Sequence, residues 1–355
     1  MNPYKILVIN PGSTSTKIAI FSNFEQIRAE TLRHAAEEIK AHPHIWNQFD
    51  FRFSAIDKWL HQNNINLKEL NAVVTLGGLF RSLEGGVYEV NDKMLVDARA
   101  NLQGEHASNL GCALAYTIAV EAHCKAYVVD PVSVDEFEPL ARYSGHPEIE
   151  RRSLSHALSL HEAARNASEK LNLDYEKSSF VIAHTGGGIS VAPIRNGKII
   201  DVNDASSDGP FSPERTGGLP LQPFITLALS GKYSDQELRK FVMGNGGLVA
   251  YLGTNSAEEV ECRIKSGDHK AREVYEAMAY QIAKEIGSMT TVLKGKVDAI
   301  VITGGLAKSK MLTDWITERV KFISQVLVFT TDDEMKALAK GAIRVLKGTE
   351  IPKSY

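Results

Sequence analysis

Asn10-Pro-Gly-Ser-Thr-Ser-Thr-Lys17 places an amide, a run of hydroxyls and a lysine on one turn, whose backbone N–H groups can face an anion such as phosphate. The GxxxxGK[ST] spacing of a Walker A loop is absent, and the apolar run Ile18 to Phe21 that follows reads as a strand, so no helix N-terminus caps the anion. The hairpin itself would have to hold it; the plain alternative is a Ser/Thr-rich turn with no ligand. His184-Thr-Gly-Gly-Gly188 repeats the theme without charge, and Gly186, Gly187 and Gly188 allow close backbone approach to a phosphate. Thr303-Gly304-Gly305 forms a third small-residue edge that could admit a nucleotide's sugar and base. Each could be merely a turn, but three such edges point to a nucleotide cleft.

Two charged residues complete the set. Asp130 ends the run Ala126-Tyr-Val-Val and precedes Pro131, a place where a strand-end carboxylate can hold magnesium directly or through water, although an Asp-Pro turn accounts for it equally well. Gly209-Pro-Phe-Ser-Pro-Glu-Arg-Thr-Gly217 mounts Arg215 on a loop stiffened by two prolines, and a rigid guanidinium suits the stabilisation of a transferring phosphoryl group. The 11 histidines show no HExxH spacing, and there is neither a GxSxG elbow nor a cysteine with a recognisable activating neighbour. A histidine metal centre and nucleophilic hydrolysis therefore have no support.

The elements that must carry these residues recur in order. Ile6 to Asn10 runs through the hydroxyl turn into Ile18 to Phe21, and Phe180 to His184 runs through the glycine turn into Ile189 to Ile194. Ala72-Val-Val-Thr-Leu-Gly-Gly-Leu79 is matched by Ala299-Ile-Val-Ile-Thr-Gly-Gly-Leu306. Two ordered matches of strand and glycine turn indicate a duplication. Apolar residues at helical spacing predict helices over 109–122, 155–171 and 268–293. A last helix is predicted from near Thr331, with Thr331 and Glu334 at capping-box spacing and Asp332 and Asp333 at its positive end, stopping at Gly348. The pattern is α/β in two similar domains, with a cleft between them as the default ligand site.

Length and composition agree. At 355 residues the chain can build two cores, and 43% hydrophobic with 23% charged residues excludes the disordered class. Forty basic and 43 acidic residues leave a formal charge of -3, so nothing global draws the surface to nucleic acid or anionic lipid. Three cysteines, Cys112, Cys124 and Cys262, form no CxxC pair and read as buried fillers in a reducing compartment. The apolar stretch Ile6 to Ile9 is too short for a signal-peptide core, and no span reaches the ~20 apolar residues of a membrane helix. A cytoplasmic protein is expected.

The combined pattern resembles the butyrate kinase branch of the acetate kinase family, nearly end to end. The stretches that carry the likeness are Asn10 to Lys17, Gly85 to Asn91, His106-Ala-Ser-Asn-Leu-Gly111, Asp130-Pro-Val, Arg151-Arg-Ser-Leu-Ser-His156-Ala-Leu, Ala183 to Val191, Gly209 to Gly217, Tyr251-Leu-Gly-Thr-Asn255 and Ile302 to Gly305. The resemblance implies a duplicated ribonuclease-H-like fold, that of actin-like ATPases and of acetate and sugar kinases. Its domains would be 1–152 with 333–355, the C-terminal helix returning to the first domain, and 153–332. It implies ATP-dependent phosphorylation of a short or branched carboxylic acid to an acyl phosphate, reversibly and with Mg2+, in a homo-oligomer of two or more chains. By motif, Asn10, Ser13, Ser15 and Lys17 would handle phosphates and metal, and Asp130 would organise magnesium. His156 and Arg215 would stabilise the moving phosphoryl group, while His184, Gly186, Gly187, Gly188, Gly304 and Gly305 would bind nucleotide. His106 would line the acid site.

Two stretches depart from that pattern. The family typically reads Gly-Arg-Gly-Gly where this chain has Thr75-Leu76-Gly77-Gly78, and Pro-Gly-Glu where it has Thr330-Thr331-Asp332. Leu76 thus replaces an arginine expected near the carboxylate, and Arg81 is the nearby candidate to reach the same group. A nucleotide-binding homologue with little kinase activity, or a kinase for another acid, is the alternative that Leu76 leaves open.

Overall fold

Ile6 to Ile9 is an unbroken apolar run because its strand is covered on both faces: all four side chains are fully buried. In the computed structural model, which describes residues 3–331 and 333–355, this run forms β1 (Lys5–Pro11). It continues through the hydroxyl turn into β2 (Ser15–Ser22) and then β3 (Glu25–Arg33). With β4 (Ala72–Thr75), β5 (Val87–Glu89) and β6 (Lys125–Val129) these build a six-stranded sheet in the order β3-β2-β1-β4-β6-β5. β1 pairs antiparallel with β2 and parallel with β4, with Asn10 opposite Lys17 and Ile9 opposite Thr75.

The second sheet repeats that plan. β7 (Ser179–Thr185), β8 (Ile189–Arg195), β9 (Lys198–Ile199), β10 (Ala299–Thr303) and β11 (Val326–Val328) lie in the order β11-β10-β7-β8-β9. β7 pairs antiparallel with β8 and parallel with β10, as β1 does with β2 and β4. The matched sequence segments are thus the same three strands of each sheet. Each sheet has its own core: Leu7, Ile20, Val73, Trp59 and Met94 in one, Val181, Val191, Ile282, Ile300 and Leu312 in the other.

The chain divides into the units Met1–Asp135 with Asp333–Tyr355, and Glu136–Asp332. Residues 136–152 thus group with the second unit, where a boundary after 152 would have put them in the first. The reason is local bonding. Ile199 N donates to the Glu136 carboxylate at 2.7 Å, Glu138 N to Ile200 O at 3.0 Å, and Arg151 pairs with Asp201 at 2.9 Å.

The predicted helices form as Asn109–Glu121, Ala157–Leu171 and His269–Val292, the last capped by Asp268 accepting from Ala271 N at 2.9 Å. The last helix, Glu334–Leu346, lies on β1, β4 and β6, and a Cβ at Gly341 would come within 2.6 Å of Val129, so this helix rides unusually close to its sheet. Its cap corrects the sequence reading. Asp333, not Thr331, accepts from Lys336 N at 3.0 Å, because the helix starts two residues later than the Thr331 box requires and frees the Glu334 side chain. Asp332, in the departing Thr330-Thr331-Asp332 stretch, lies outside the described residues. Cys112 is buried, but Cys262 is exposed on a helix, so not all three cysteines are fillers. No helix among the described residues is long and apolar enough to cross a membrane.

Candidate active site

In the second unit the β7–β8 register sets His184 opposite Ser190, and the turn between them closes with Gly186 N donating to Gly188 O at 3.1 Å. His156 stands at the N-terminus of helix Ala157–Leu171, which brings its Nδ1 to 2.9 Å from Ser190 Oγ and stacks its ring on His184 with centroids 4.3 Å apart. Burial, then the neighbouring His184 and Arg215, hold the His156 pKa well below the ordinary histidine value, so its ring is neutral at pH 7. Arg215 packs its guanidinium against Gly188 and donates from Nη1 to Ala205 O at 2.7 Å. Burial lowers its pKa, while Glu214 and Asp204 oppose that shift. The arginine loop is also tied to the glycine turn by Ser212 Oγ, which donates to Gly187 O at 2.5 Å.

Gly304 has φ +93° and sits so close to Thr185 that a Cβ would lie 2.3 Å from Thr185 O, while Thr185 Oγ1 donates to Thr303 O at 2.8 Å. The β7 and β10 glycine edges therefore form one surface. Nothing lies within 4 Å of a Cβ built on Gly305, and nothing closer than 3.6 Å on Gly186 or 3.7 Å on Gly187. That surface leaves backbone open to an incoming group.

In the first unit Asn10 is nearly buried and donates from Nδ2 to Glu334 Oε2 at 3.2 Å, with Lys17 Nζ 3.8 Å from the same carboxylate. The freed Glu334 thus brings a carboxylate to the hydroxyl hairpin. Ser13 is exposed at the turn, and Ser15 opens β2 with its carbonyl accepting from Gly12 N at 2.8 Å. Asp130 is buried with φ +40° and clasps Gly86, its Oδ1 accepting from Gly86 N at 2.6 Å and its own N donating to Gly86 O at 3.0 Å. His106 Nδ1 accepts from Ser108 N at 3.2 Å, which leaves Nε2 to carry the ring proton, and burial lowers its pKa. Arg81 is committed to Asp97 through Nε at 2.6 Å and Nη2 at 3.2 Å, and Tyr355 donates to the same carboxylate at 3.0 Å. Leu76, just beyond β4, is half-buried.

Comparison with known proteins is decisive. The acetokinase family profile matches residues 143–350. Over 353 residues, 99% of both chains, the sequence is 49% identical to butyrate kinase 2 of Clostridium acetobutylicum. The chain belongs to the acetokinase family. As a member it is a phosphotransferase whose acceptor is a carboxyl group. The fold agrees: an acetate kinase of Porphyromonas gingivalis superposes with TM-score 0.77 at 18% identity, covering 97% of this chain and 100% of that one. A propionate kinase of Francisella tularensis gives 0.74 at 19%, covering 95% and 98%. The duplicated sheets are those of the actin-like ATPase fold.

Sequence reasoning about this acetokinase-family chain missed Ser190, Ser212 and Glu334. Ser190 is visible as a polar residue inside an apolar strand, and Ser212 lies between the two prolines of the arginine loop. Glu334 reads from sequence as part of a cap, and only the position of the helix start turns it toward Asn10.

Proposed function

We propose that this chain transfers the γ-phosphoryl group of ATP to a short or branched carboxylic acid of butyrate size, reversibly, giving an acyl phosphate and ADP. The observation that carries the choice of acid is the 49% identity, over 99% of both chains, to a butyrate kinase. A carboxylate oxygen attacks the γ-phosphorus in line, the bond to the β–γ bridging oxygen breaks, and ADP leaves with the electron pair. The nucleophile carries no proton, so no general base is needed, and the protein's task is positioning and charge stabilisation.

Each residue then has a part. Asn10, Ser13, Ser15 and Lys17 hold phosphate oxygens; Gly186, Gly187, Gly188, Gly304 and Gly305, with His184, receive the nucleotide. Arg215 faces the charge that spreads over the phosphoryl oxygens, a role its fixed guanidinium suits. His156, neutral, acts there as a hydrogen-bond donor, not as a second cation. His106 offers its Nε2 proton to the acid. Arg81, bound to Asp97, shapes the loop after Leu76.

Oxygen donors from Asn10 and Glu334, with Ser13 and Asp130 directly or through water, suit a hard cation. No group of three His, Cys, Asp or Glu gathers among the described residues, so the protein supplies a partial oxygen set of the kind that shares Mg2+ with phosphates. Bound Mg2+ would neutralise phosphate charge. The three unpaired cysteines and the use of ATP support a cytoplasmic setting. Self-association belongs to the same reading: helix Leu221–Leu229 buries none of its residues and exposes Leu221 and Leu229. The stretch Leu110–Val120, the sequence candidate for a contact, is largely spent in the first unit's own core.

The test is to incubate the protein with Mg-ATP, hydroxylamine and acids from acetate to hexanoate. Hydroxamate formed best with four- or five-carbon acids is expected; no hydroxamate with any acid, despite ATP binding, would overturn the reading.

A further inference from the structure

A fully buried arginine that pairs with no carboxylate among the described residues lies behind the hydroxyl turn. Arg52, on helix Phe49–Gln62, is 0% exposed. All five of its N–H groups are used. Nε and Nη2 donate to Gln48 Oε1 at 3.1 and 2.9 Å, Nη1 to Ser15 O and Thr16 Oγ1 at 3.1 Å each, and Nη2 to Ser13 O at 3.2 Å. Every acceptor is neutral. Burial pushes the Arg52 pKa down to about 10, which still leaves it charged at pH 7. His34 touches Thr16 Oγ1 at 2.9 Å and is pushed down to about 4 by burial and by Arg52, so it is neutral and adds no charge.

The bonds fix the turn's direction. A planar peptide points its C=O and the following N–H opposite ways, so drawing the Ser13 carbonyl inward turns the Thr14 N–H outward. Neither the Ser13 nor the Thr14 amide finds an acceptor among the described residues, and both residues are exposed. The turn thus shows bare donors to solvent and a cation behind them.

We propose that Arg52 is a positioning residue for phosphoryl transfer: it locks the Ser13–Thr16 turn with its amides outward and, lacking a carboxylate partner, lends its unneutralised charge to polyphosphate bound there. This rests on the reading of the hairpin as a phosphate holder. Isolated buried cations are costly, and a protein that needed only a structural tie could use a paired or neutral side chain. A charge kept bare beneath a ring of donors is accounted for by an anion above them.

Arg52→Met would strand four acceptors and risk the fold, so the test is made on the neighbouring Gln48. Gln48→Glu keeps the acceptor for Nε and Nη2 but neutralises the guanidinium, and Gln48→Met is its uncharged control, since both lose the Gln48 Nε2 bond to His42 O. Dissociation constants of Mg-ATP and of adenosine are measured by calorimetry on the intact protein, with melting temperature as a check on folding. Gln48→Glu is expected to weaken ATP about tenfold and adenosine less than about twofold, with Gln48→Met well below it and the KM for the acid unchanged. Equal weakening of ATP in both variants, no weakening in Gln48→Glu, or equal loss of adenosine would overturn the proposal. Hydroxamate formation by the wild type, run in parallel, tests the kinase reading separately, because nucleotide binding does not require the acid.

Discussion

Gly188 and Arg215 share one space: a Cβ on Gly188 would lie 2.4 Å from Arg215 Nη1, whose position is already fixed by its bond to Ala205 O. The clash falls on the end of a side chain, so Gly188→Ala should fold normally and yet move the guanidinium. Turnover is expected to fall at least about tenfold at nearly unchanged melting temperature, and Arg215→Ala should fall further, by ~10³ to 10⁵, with ATP affinity within about tenfold. Wild-type kcat in Gly188→Ala would separate Arg215 from the glycine turn. Gly304→Ala is the contrast: with φ +93° and Thr185 backbone at 2.3 Å, it should lower the melting temperature.

Magnesium dependence should distinguish the two carboxylates of the first unit. Glu334 faces Asn10 and Lys17, so Glu334→Gln removes charge from the hairpin and should raise the Mg2+ concentration for half-maximal activity several-fold. Asp130→Asn keeps an acceptor for Gly86 N; a Mg2+ dependence matching the wild type would take Asp130 out of the metal site and leave it as a clasp on the Gly86 turn.

The loop after β4 offers a test of acid selection. Arg81→Ala would leave the Asp97 carboxylate with the Tyr355 hydroxyl as its hydrogen-bond donor, so the melting temperature should drop. Leu76 is half-buried. An acyl chain gains roughly 25 cal/mol per Å² from apolar contact, so Leu76→Arg should shift kcat/KM from butyrate and longer acids toward acetate. A ratio that moves by less than about threefold would mean that this strand end does not face the acid.

Glu285 supplies a pH signature in the second unit. Burial, then Asp208, with a smaller contribution from Asp201, pushes its pKa up from 4.5 to about 7 against the opposing Arg151. Between those values the folded protein holds a proton that the unfolded chain has released, so this contribution to stability is full below about pH 4.5 and is lost as pH rises through 7. Glu285→Gln should raise the melting temperature by a few degrees at pH 8 and change it little at pH 4.5. The same gain at both pH values would mean that the carboxyl does not titrate there.

The duplication, the α/β class and the three small-residue edges are legible along the chain, because each is written in local order: an apolar run too short for a helix, a turn of glycines or hydroxyls, and a second run. Helix His269–Val292 was equally legible, since one apolar stripe at 3.6 spacing specifies both its existence and its buried face. Tertiary structure alone decided what depends on distant contacts. The start of the last helix, shifted to Glu334, converted a cap residue into a partner of Asn10. The stacking of His156 on His184 required a helix N-terminus and a strand from different stretches to meet. Arg81 carries a charge that looked available and is held by Asp97, whereas Arg52, set in a helix like any surface arginine, is wholly inside. Burial and pairing are properties of three-dimensional neighbourhoods, and a pattern of nearest neighbours along the chain does not contain them.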